Sequence, residues 1–109
     1  MSFIDIANIE DVVPGAMKSF PAGDKQVLIA NVGGKYYAMN GICTHAGGNL
    51  SKGKLDGIVV TCPRHGSRFD VTTGKSLSGP HILFMTFTTK DEKAFPVRIE
   101  GNRIQVDIS

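Results

Sequence analysis

The stretch "CPRHGSRFD" (residues 62–70) decides how this 109-residue sequence folds, because it brings two metal-binding residue types together at a bend. Cys62 stands three positions before His65, Pro63 lies between them and Gly66 follows directly. The chain contains only two cysteines and three histidines, so one nine-residue segment holds a large share of its thiolate and imidazole donors. The segment shows neither the alternation of a strand nor a helical repeat. We therefore expect a loop here.

A second cysteine–histidine pair precedes this segment. "CTHAGGNL" (residues 43–50) contains Cys43 and His45, and sixteen residues separate His45 from Cys62. Gly47 and Gly48 follow the first pair, and glycine permits left-handed turns in which backbone N–H groups can point at a ligand. Each pair can therefore bind a metal centre from a tight loop.

The remaining sequence predicts an all-β fold. Short apolar stretches such as "QVLIANV", "KYYAM" and "RIQVDI" alternate with turn residues, and no segment shows a long helical period. Gly33–Gly34 and Gly101–Asn102 each lie between two such stretches and predict β-hairpins. Asn8 is expected to cap a single helical turn that ends before Pro14. The pattern indicates an antiparallel β sandwich or barrel, and the length fits one domain over residues 1–109.

Residues 43–81 differ from the sequence on either side. They are poor in apolar residues, rich in Gly, Ser, Thr, Pro and Lys, and contain both cysteines and all three histidines. A loop-rich subdomain of this composition is expected to need a bound metal centre to hold it together. The following segment, residues 81–95, predicts a longer strand and a charged turn at 90–93.

Composition and charge exclude several classes of protein. Twelve Lys and Arg against ten Asp and Glu give a formal net charge of +2, with no basic cluster that would indicate nucleic-acid binding. No apolar run has the length of a membrane span, and the N-terminus lacks the features of a secretion signal. We expect a soluble, cytoplasmic protein with no nucleic-acid or membrane partner.

Two simpler uses of the cysteines stay open at this point. Cys43 and Cys62 can form a disulfide, although a reducing cytosol favours metal binding or catalysis. The four residues Cys43, His45, Cys62 and His65 can also hold a structural Zn²⁺ in a Cys₂His₂ site. Zinc fingers space their histidines differently from this chain.

The two pairs together resemble the Rieske iron–sulfur proteins. The matching elements are C-x-H, a spacer and C-P-x-H-G-S-x-F-D, followed by "TTGK" at 72–75 and "SGP" at 78–80. The resemblance implies a Rieske-like antiparallel β fold in which a subdomain over residues 43–81 binds a [2Fe-2S] cluster. It implies that one iron is bound by Cys43 and Cys62 and the other by His45 and His65. It also places four residues around the cluster: Gly48, Gly66, Ser67 and Pro80.

The resemblance bears on the reduction potential as well. Replacing two thiolates by neutral imidazoles leaves the oxidised centre near neutral, which makes an added electron easier to accept. High-potential members have a Ser and a Tyr hydroxyl near the cluster and a disulfide between the two loops. This chain has Ser67, but Phe69 stands at the Tyr position, and Gly48 and Arg64 stand at the disulfide positions. We expect a potential toward the lower end of roughly −150 to +300 mV.

The function implied is that of a one-electron carrier and not an enzyme. In the systems that the chain resembles, an NAD(P)H-dependent flavoprotein ferredoxin reductase supplies the electrons and a terminal oxygenase, such as an aromatic-ring dioxygenase, receives them. The second domain of an oxygenase, with an iron bound by two His and a carboxylate, does not fit in 109 residues. Two alternatives are an iron–sulfur small subunit of a larger oxidoreductase complex and a zinc-stabilised binding module.

Several other polar residues have simpler interpretations. His81 lies outside both pairs and is expected to be an ordinary surface or packed histidine, and Asp70 is expected to cap a turn. Arg64 beside His65 can favour an acidic partner or can simply be solvated. The same two interpretations apply to Lys52, Lys54 and Lys75.

Overall fold

The computed structural model describes residues 2–43, 47–64, 66–79 and 90–109, together with the backbone of 81–82 and 85–86. Within these residues the chain consists mainly of strands, and every strand pair is antiparallel, which confirms the all-β prediction. The strands in the described residues are β1 (Phe3–Asn8), β2 (Met17–Ala22), β3 (Lys25–Val32), β4 (Lys35–Asn40), β5 (Lys54–Asp56), β6 (Val59–Thr61), β7 (Arg68–Asp70), β8 (Ser76–Ser78), β9 (His81–Ile82), β10 (Met85–Thr86), β11 (Ala94–Phe95), β12 (Val97–Glu100) and β13 (Arg103–Asp107).

These strands assemble into three sheets and one short ribbon in the described part of the chain. One sheet has the order β1-β13-β12, a central sheet has the order β11-β4-β3-β2, and a third has the order β5-β6-β7-β8. The ribbon pairs β9 with β10. No helix among the described residues is long and apolar enough to cross a membrane.

The β3–β4 hairpin lies at the centre of the fold. Its two-residue turn is Gly33–Gly34, as predicted, and both glycines have positive φ angles of 62° and 95°. Five consecutive residues of β3, Val27 to Asn31, are buried. Because successive side chains of a strand point to opposite faces, this run shows that both faces of the central sheet are covered.

Two apolar cores lie on the two faces of the central sheet. On one face Val27 and Ile29 pack with Ile104 and Val106 of β13. On the other face Leu28 and Met39 pack in a second cluster, whose other buried members are Ala30, Cys43, Leu50, Val60, Cys62, Phe69 and Val71. The second core therefore joins the β5–β8 sheet and both cysteines to the central hairpin.

Local predictions near the termini hold, except that the Asn8 side chain makes no capping hydrogen bond to the helical turn. The hairpin at Gly101–Asn102 joins β12 to β13, and a 3₁₀ turn follows Asn8 at Ile9–Asp11. The Asp11 carboxylate accepts the backbone N–H of Asn8 at 2.9 Å. The side-chain oxygen of Asn8 accepts a hydrogen bond from Arg103 at 2.6 Å.

The segment 43–81 contains more strand than its composition suggests. The loop expected around Cys62 and His65 ends at Ser67, because β7 begins at Arg68 and pairs with β6. Val60 and Phe69 are directly opposite each other in this pair, and both are fully buried. Strands of three residues are too short to show a clear period, so the sequence pattern did not indicate them. The segment thus contributes buried apolar residues to the second core, which it shares with the central hairpin.

The segment 81–95 also differs from expectation. A single longer strand is wrong, because the chain forms β9 and β10, which pair with each other, and then β11 on the central sheet. Residues 90–93 contain no regular secondary structure. Here the Glu92 N–H donates to the Gly74 carbonyl at 2.7 Å, and the Asp91 carboxylate accepts the Ser76 N–H at 2.7 Å. These contacts tie the β7–β8 turn to the chain that leads into the central sheet.

Candidate metal centre

The two cysteines begin loops that share one hydrogen-bond pattern. The Cys43 N–H donates to the Gly48 carbonyl at 2.8 Å, and the Gly47 N–H donates back to the Cys43 carbonyl at 3.0 Å. The second loop repeats this pattern at the same spacing. The Cys62 N–H donates to the carbonyl of Ser67, five residues on, at 2.7 Å, and the N–H of Gly66, four residues on, donates to the Cys62 carbonyl at 3.3 Å. The two loops therefore place two thiols in equivalent local settings.

Each loop needs glycine at the position four residues after its cysteine. Gly47 has a φ of 67° and Gly66 a φ of 77°. Side chains with a Cβ rarely adopt this left-handed conformation. The sequence prediction that glycines after the ligand pairs adopt left-handed turns is confirmed at Gly47 and Gly66, whereas Gly48 does not have a positive φ.

The cysteines are buried and are not joined to each other. Each is 3% exposed, and neither forms a disulfide, so the disulfide alternative for Cys43 and Cys62 is wrong. Both thiols border the second core, beside Leu50 and Val60. An apolar surround excludes water from a bound centre, and such a shell contributes to its redox potential.

Gly48 brings the first loop against the second. A Cβ built on Gly48 would lie 3.3 Å from the Cys62 sulfur, and 3.2 and 3.3 Å from Cγ and Cδ of Arg64. Gly48 and Arg64 are therefore neighbours, as the resemblance implies for the positions that a disulfide joins elsewhere in the family. In this chain the aliphatic part of the Arg64 side chain covers Gly48.

Ser67 presents a buried hydroxyl that no described residue engages. The residue is fully buried, and its Oγ has no hydrogen-bond partner among the described residues. A buried hydroxyl in this state is costly unless an acceptor is supplied. Because Ser67 closes the Cys62 loop, an inorganic or cysteine sulfur of a cluster is a suitable acceptor. Phe69, two residues on, is buried in the second core and offers no such group.

Three of the predicted site residues lie outside the described residues. These are His45, His65 and Pro80, so the predicted iron ligation by the two histidines and the covering loop at Pro80 stay predictions. His81 is described only by its backbone, in β9. The described half of the site fits a cluster: two buried thiols, an orphaned hydroxyl and a glycine contact that leaves room beside a sulfur.

Asp70 has the structural role that was predicted. Its carboxylate accepts hydrogen bonds from the Thr72 N–H at 2.8 Å and the Thr72 hydroxyl at 2.6 Å. Its backbone carbonyl accepts the Gly74 N–H at 2.6 Å. Asp70 thus caps the β7–β8 turn with both its carboxylate and its backbone carbonyl.

Sequence reasoning did not find that Lys54 and Arg68 flank the Cys62 loop on one sheet face. Lys54 opposes Thr61, and Thr61 opposes Arg68 in the next strand pair. Strand register is the only signal that places these cations together, and strands of three residues carry too little pattern to predict register.

Known proteins resemble this chain in both sequence and fold. The Rieske [2Fe-2S] domain profile matches residues 2–84. The ferredoxin component of the naphthalene 1,2-dioxygenase/salicylate 5-hydroxylase systems of Ralstonia sp. is 36% identical over 105 residues, which are 96% of this chain and 94% of the relative.

Two solved structures agree with this assignment. The ferredoxin of Sphingomonas yanoikuyae B1 superposes with a TM-score of 0.84 at 25% identity, over 99% of this chain and 100% of that one. A chain in the complex of reduced oxygenase and oxidised ferredoxin of carbazole 1,9a-dioxygenase superposes with a TM-score of 0.82 at 30% identity, over 95% and 91% of the two chains. With the two cysteine loops, these matches confirm the predicted cofactor, a [2Fe-2S] cluster. The chain belongs to the Rieske [2Fe-2S] domain family, and the ferredoxins of Ralstonia sp. and Sphingomonas yanoikuyae match it over nearly the whole length of both chains.

Proposed function

We propose that this protein is a cytoplasmic one-electron carrier between an NAD(P)H-dependent flavoprotein reductase and a terminal oxygenase that acts on aromatic rings. The observation that carries the proposal is the pair of equivalent cysteine loops that meet at Gly48, together with the buried Ser67 hydroxyl of the second loop, which has no partner in the described part of the chain. Family membership and ferredoxin relatives from dioxygenase systems support it. So does the similarity to a ferredoxin structure solved together with an oxygenase.

The proposed ligands are Cys43 and Cys62 for one iron and His45 and His65 for the other. When bound, the [2Fe-2S] cluster supplies a site that accepts and releases one electron at a time. We further propose that residues 1–109 form a single domain in which residues 43–81 are the cluster-binding part.

The chain's own residues tune and protect this site. Burial of both thiols in the second core keeps water away from the sulfurs. The Ser67 hydroxyl can donate to a sulfur, and such a bond stabilises the reduced state, because that state carries the greater negative charge. The backbone bonds that close each loop hold the thiols in place without a disulfide.

The ligand set is tested by removing each histidine in turn. His45→Ala and His65→Ala should each abolish or change the EPR signal of the dithionite-reduced protein, because the cluster loses one of its iron ligands. His81→Ala is the matched control and should leave the signal in place. The average g value separates a cluster with mixed His and Cys ligands from one bound by Cys alone. A signal that depends on His81 and survives His45→Ala would show that the ligand assignment is wrong.

Metal analysis separates this proposal from the zinc alternative. Protein prepared without oxygen should contain two irons and two acid-labile sulfides per chain and should be red-brown, whereas a zinc site leaves it colourless. The carrier function itself is tested by adding NADH and a flavoprotein reductase. Each chain should take up one electron, and the visible absorbance should fall as it does so. Zinc without iron, or a coloured protein that no flavoprotein reductase can reduce, would contradict the proposed function.

A further inference from the structure

We propose that a cationic surface beside the Cys62 loop is the docking site for an acidic patch on a protein that exchanges electrons with this one. We call this surface the cationic end; it consists of Lys52, Lys54, Arg64 and Arg68. The inference rests on the proposed function and adds to it the chemistry of the partner's surface. All four side chains are exposed.

Strand register places two of these cations in one row. Lys54 of β5, Thr61 of β6 and Arg68 of β7 are directly opposite one another across the sheet. Residues paired in this way point to the same face, and the opposite face is the buried one that holds Val60 and Phe69. Thr61 directly precedes Cys62, and Arg68 directly follows Ser67. The row therefore borders both ends of the Cys62 loop.

The other end of the same sheet face has the opposite charge. Two residues further from the loop, the row is Asp56, Val59 and Asp70. Asp56 is exposed, and the Asp70 carboxylate is engaged by Thr72. The charge on this sheet face thus changes from negative to positive along the strands, and the positive end lies at the proposed redox centre.

The charge of the whole chain is concentrated in this region. Residues 43–81 contain five Lys and Arg against two Asp and Glu, while the rest of the chain contains seven against eight. The cluster-binding segment therefore has a formal charge of +3 and the remainder −1. An acidic surface attracts the positive region of such a carrier, so the carrier approaches with its proposed redox centre toward that surface.

The charged groups of this end have no polar partner among the described residues, although the aliphatic part of Arg64 packs against Gly48. Within the described residues, none of the four side chains takes part in a hydrogen bond or ion pair. The arginines of the sheet on the far side of the central sheet differ. Arg98 donates to Gln105 at 2.7 Å, and Arg103 donates to Asn8 at 2.6 Å and lies 3.7 Å from the Asp5 carboxylate.

A groove leads from these lysines to the cysteine. It has a volume of about 400 Å³ and is lined by Lys52, Gly53, Lys54, Thr61, Cys62 and Pro63. Its floor requires glycine, because a Cβ on Gly53 would lie 1.8 Å from the Thr61 carbonyl oxygen. A carboxylate that entered between the two lysines would reach the backbone of the Cys62 loop.

The test uses a charge reversal with a matched control. Lys52→Glu/Lys54→Glu and Lys18→Glu/Lys35→Glu change the net charge equally, but Lys18 and Lys35 are exposed cations of β2 and β4, outside the cationic end. The probe is poly-L-glutamate, with its affinity for the cluster-loaded protein measured by calorimetry at low and high salt. We expect the first variant to lose about tenfold or more in affinity at low salt and the control to lose about twofold or less.

A second readout reports on the redox centre. Ferricyanide should oxidise the dithionite-reduced wild-type protein faster at low salt than at high salt, and bound poly-L-glutamate should slow this reaction. The acceleration at low salt should disappear in Lys52→Glu/Lys54→Glu and persist in the control. If the double glutamate variant loses its cluster, the neutral pair Lys54→Gln/Arg68→Gln takes its place, with an expected loss of about threefold or more.

Three outcomes would overturn the inference: equal losses in both charge reversals, no loss in either, or tighter binding of oligothymidylate than of poly-L-glutamate. The last would indicate a nucleic-acid surface. The visible and EPR spectra of the wild-type protein keep the inference separate from the proposed function. A normal cluster with no preference for the cationic end refutes only the docking surface, whereas a missing cluster refutes the carrier function.

Discussion

At the scale of single residues, the hydroxyl of Ser67 distinguishes a cluster site from an ordinary pair of buried thiols. Its Oγ is fully buried and has no partner among the described residues, and its own backbone carbonyl accepts the N–H of Cys62. Ser19 provides a useful comparison, because its Oγ is also buried and unpartnered but lies in β2, outside the two cysteine loops.

Ser67→Ala should lower the reduction potential. A hydrogen bond to a sulfur strengthens when the cluster gains negative charge, and a difference of about 1 kcal/mol between the two redox states corresponds to roughly 40 mV. Potentiometric titration of the visible spectrum measures this shift. Ser19→Ala should leave the potential within experimental error, and an equal shift in both variants would show that Ser67 has no particular access to the cluster.

At the scale of elements, the β7–β8 turn is held by an unusually close backbone approach. Gly74 has a φ of 79°, and a Cβ there would lie 2.1 Å from the carbonyl oxygen of Glu92. The Glu92 N–H donates to the Gly74 carbonyl, so the contact is made by backbone on both sides. The segment 90–93, which we call the strap, therefore holds the β7–β8 turn close to the chain that leads into the central sheet.

Gly74→Ala should destabilise the protein far more than Gly57→Ala. Both glycines have positive φ angles, 79° and 60°, but a Cβ on Gly57 meets nothing within 4 Å. Gly57→Ala should cost about 1 kcal/mol from backbone strain alone. Gly74→Ala should cost several kcal/mol, because the strap must also move. Denaturant unfolding of both variants measures the difference, and equal costs would show that the strap yields freely.

At the scale of the whole molecule, the central hairpin couples the cluster-binding sheet to the rest of the fold. Leu28 and Ile29 are adjacent in β3 and fully buried, yet they belong to different cores because they point to opposite faces of the sheet. Leu28 packs in the core that contains both cysteines, and Ile29 packs against β13.

Leu28→Ala and Ile29→Ala should lower the free energy of unfolding by similar amounts, about 3 kcal/mol each, since each removes a fully buried aliphatic side chain. Their effects on the cluster should differ. Loss of visible absorbance in the presence of an iron chelator should be faster in Leu28→Ala, because Leu28 belongs to the core that contains both cysteines. Equal bleaching rates in the two variants would show that a cavity in either core releases the cluster equally fast, so that the second core has no particular role in holding it.

The sequence by itself determined the elements whose cause is local. The Gly33–Gly34 and Gly101–Asn102 hairpins follow from residues that favour tight turns, and the two cysteine loops follow from Cys43, Cys62 and the glycines after them. The resemblance of the C-x-H and C-P-x-H-G-S-x-F-D stretches to the Rieske proteins also indicated the family and the cofactor, because that motif is short and local in the chain.

Only the tertiary structure decided how these loops meet and what surrounds them. The three-residue strands β5–β8, the Gly48–Arg64 contact, the strap at Gly74 and the row of Lys54 and Arg68 all depend on register and on approach between distant segments. Such contacts leave no periodic trace in a short strand, because three residues fit several registers equally well until burial on one face selects one of them. For that reason the ligand types of the proposed centre and the net charge around it can be read from the chain alone, whereas the row that Lys54 and Arg68 form beside it cannot.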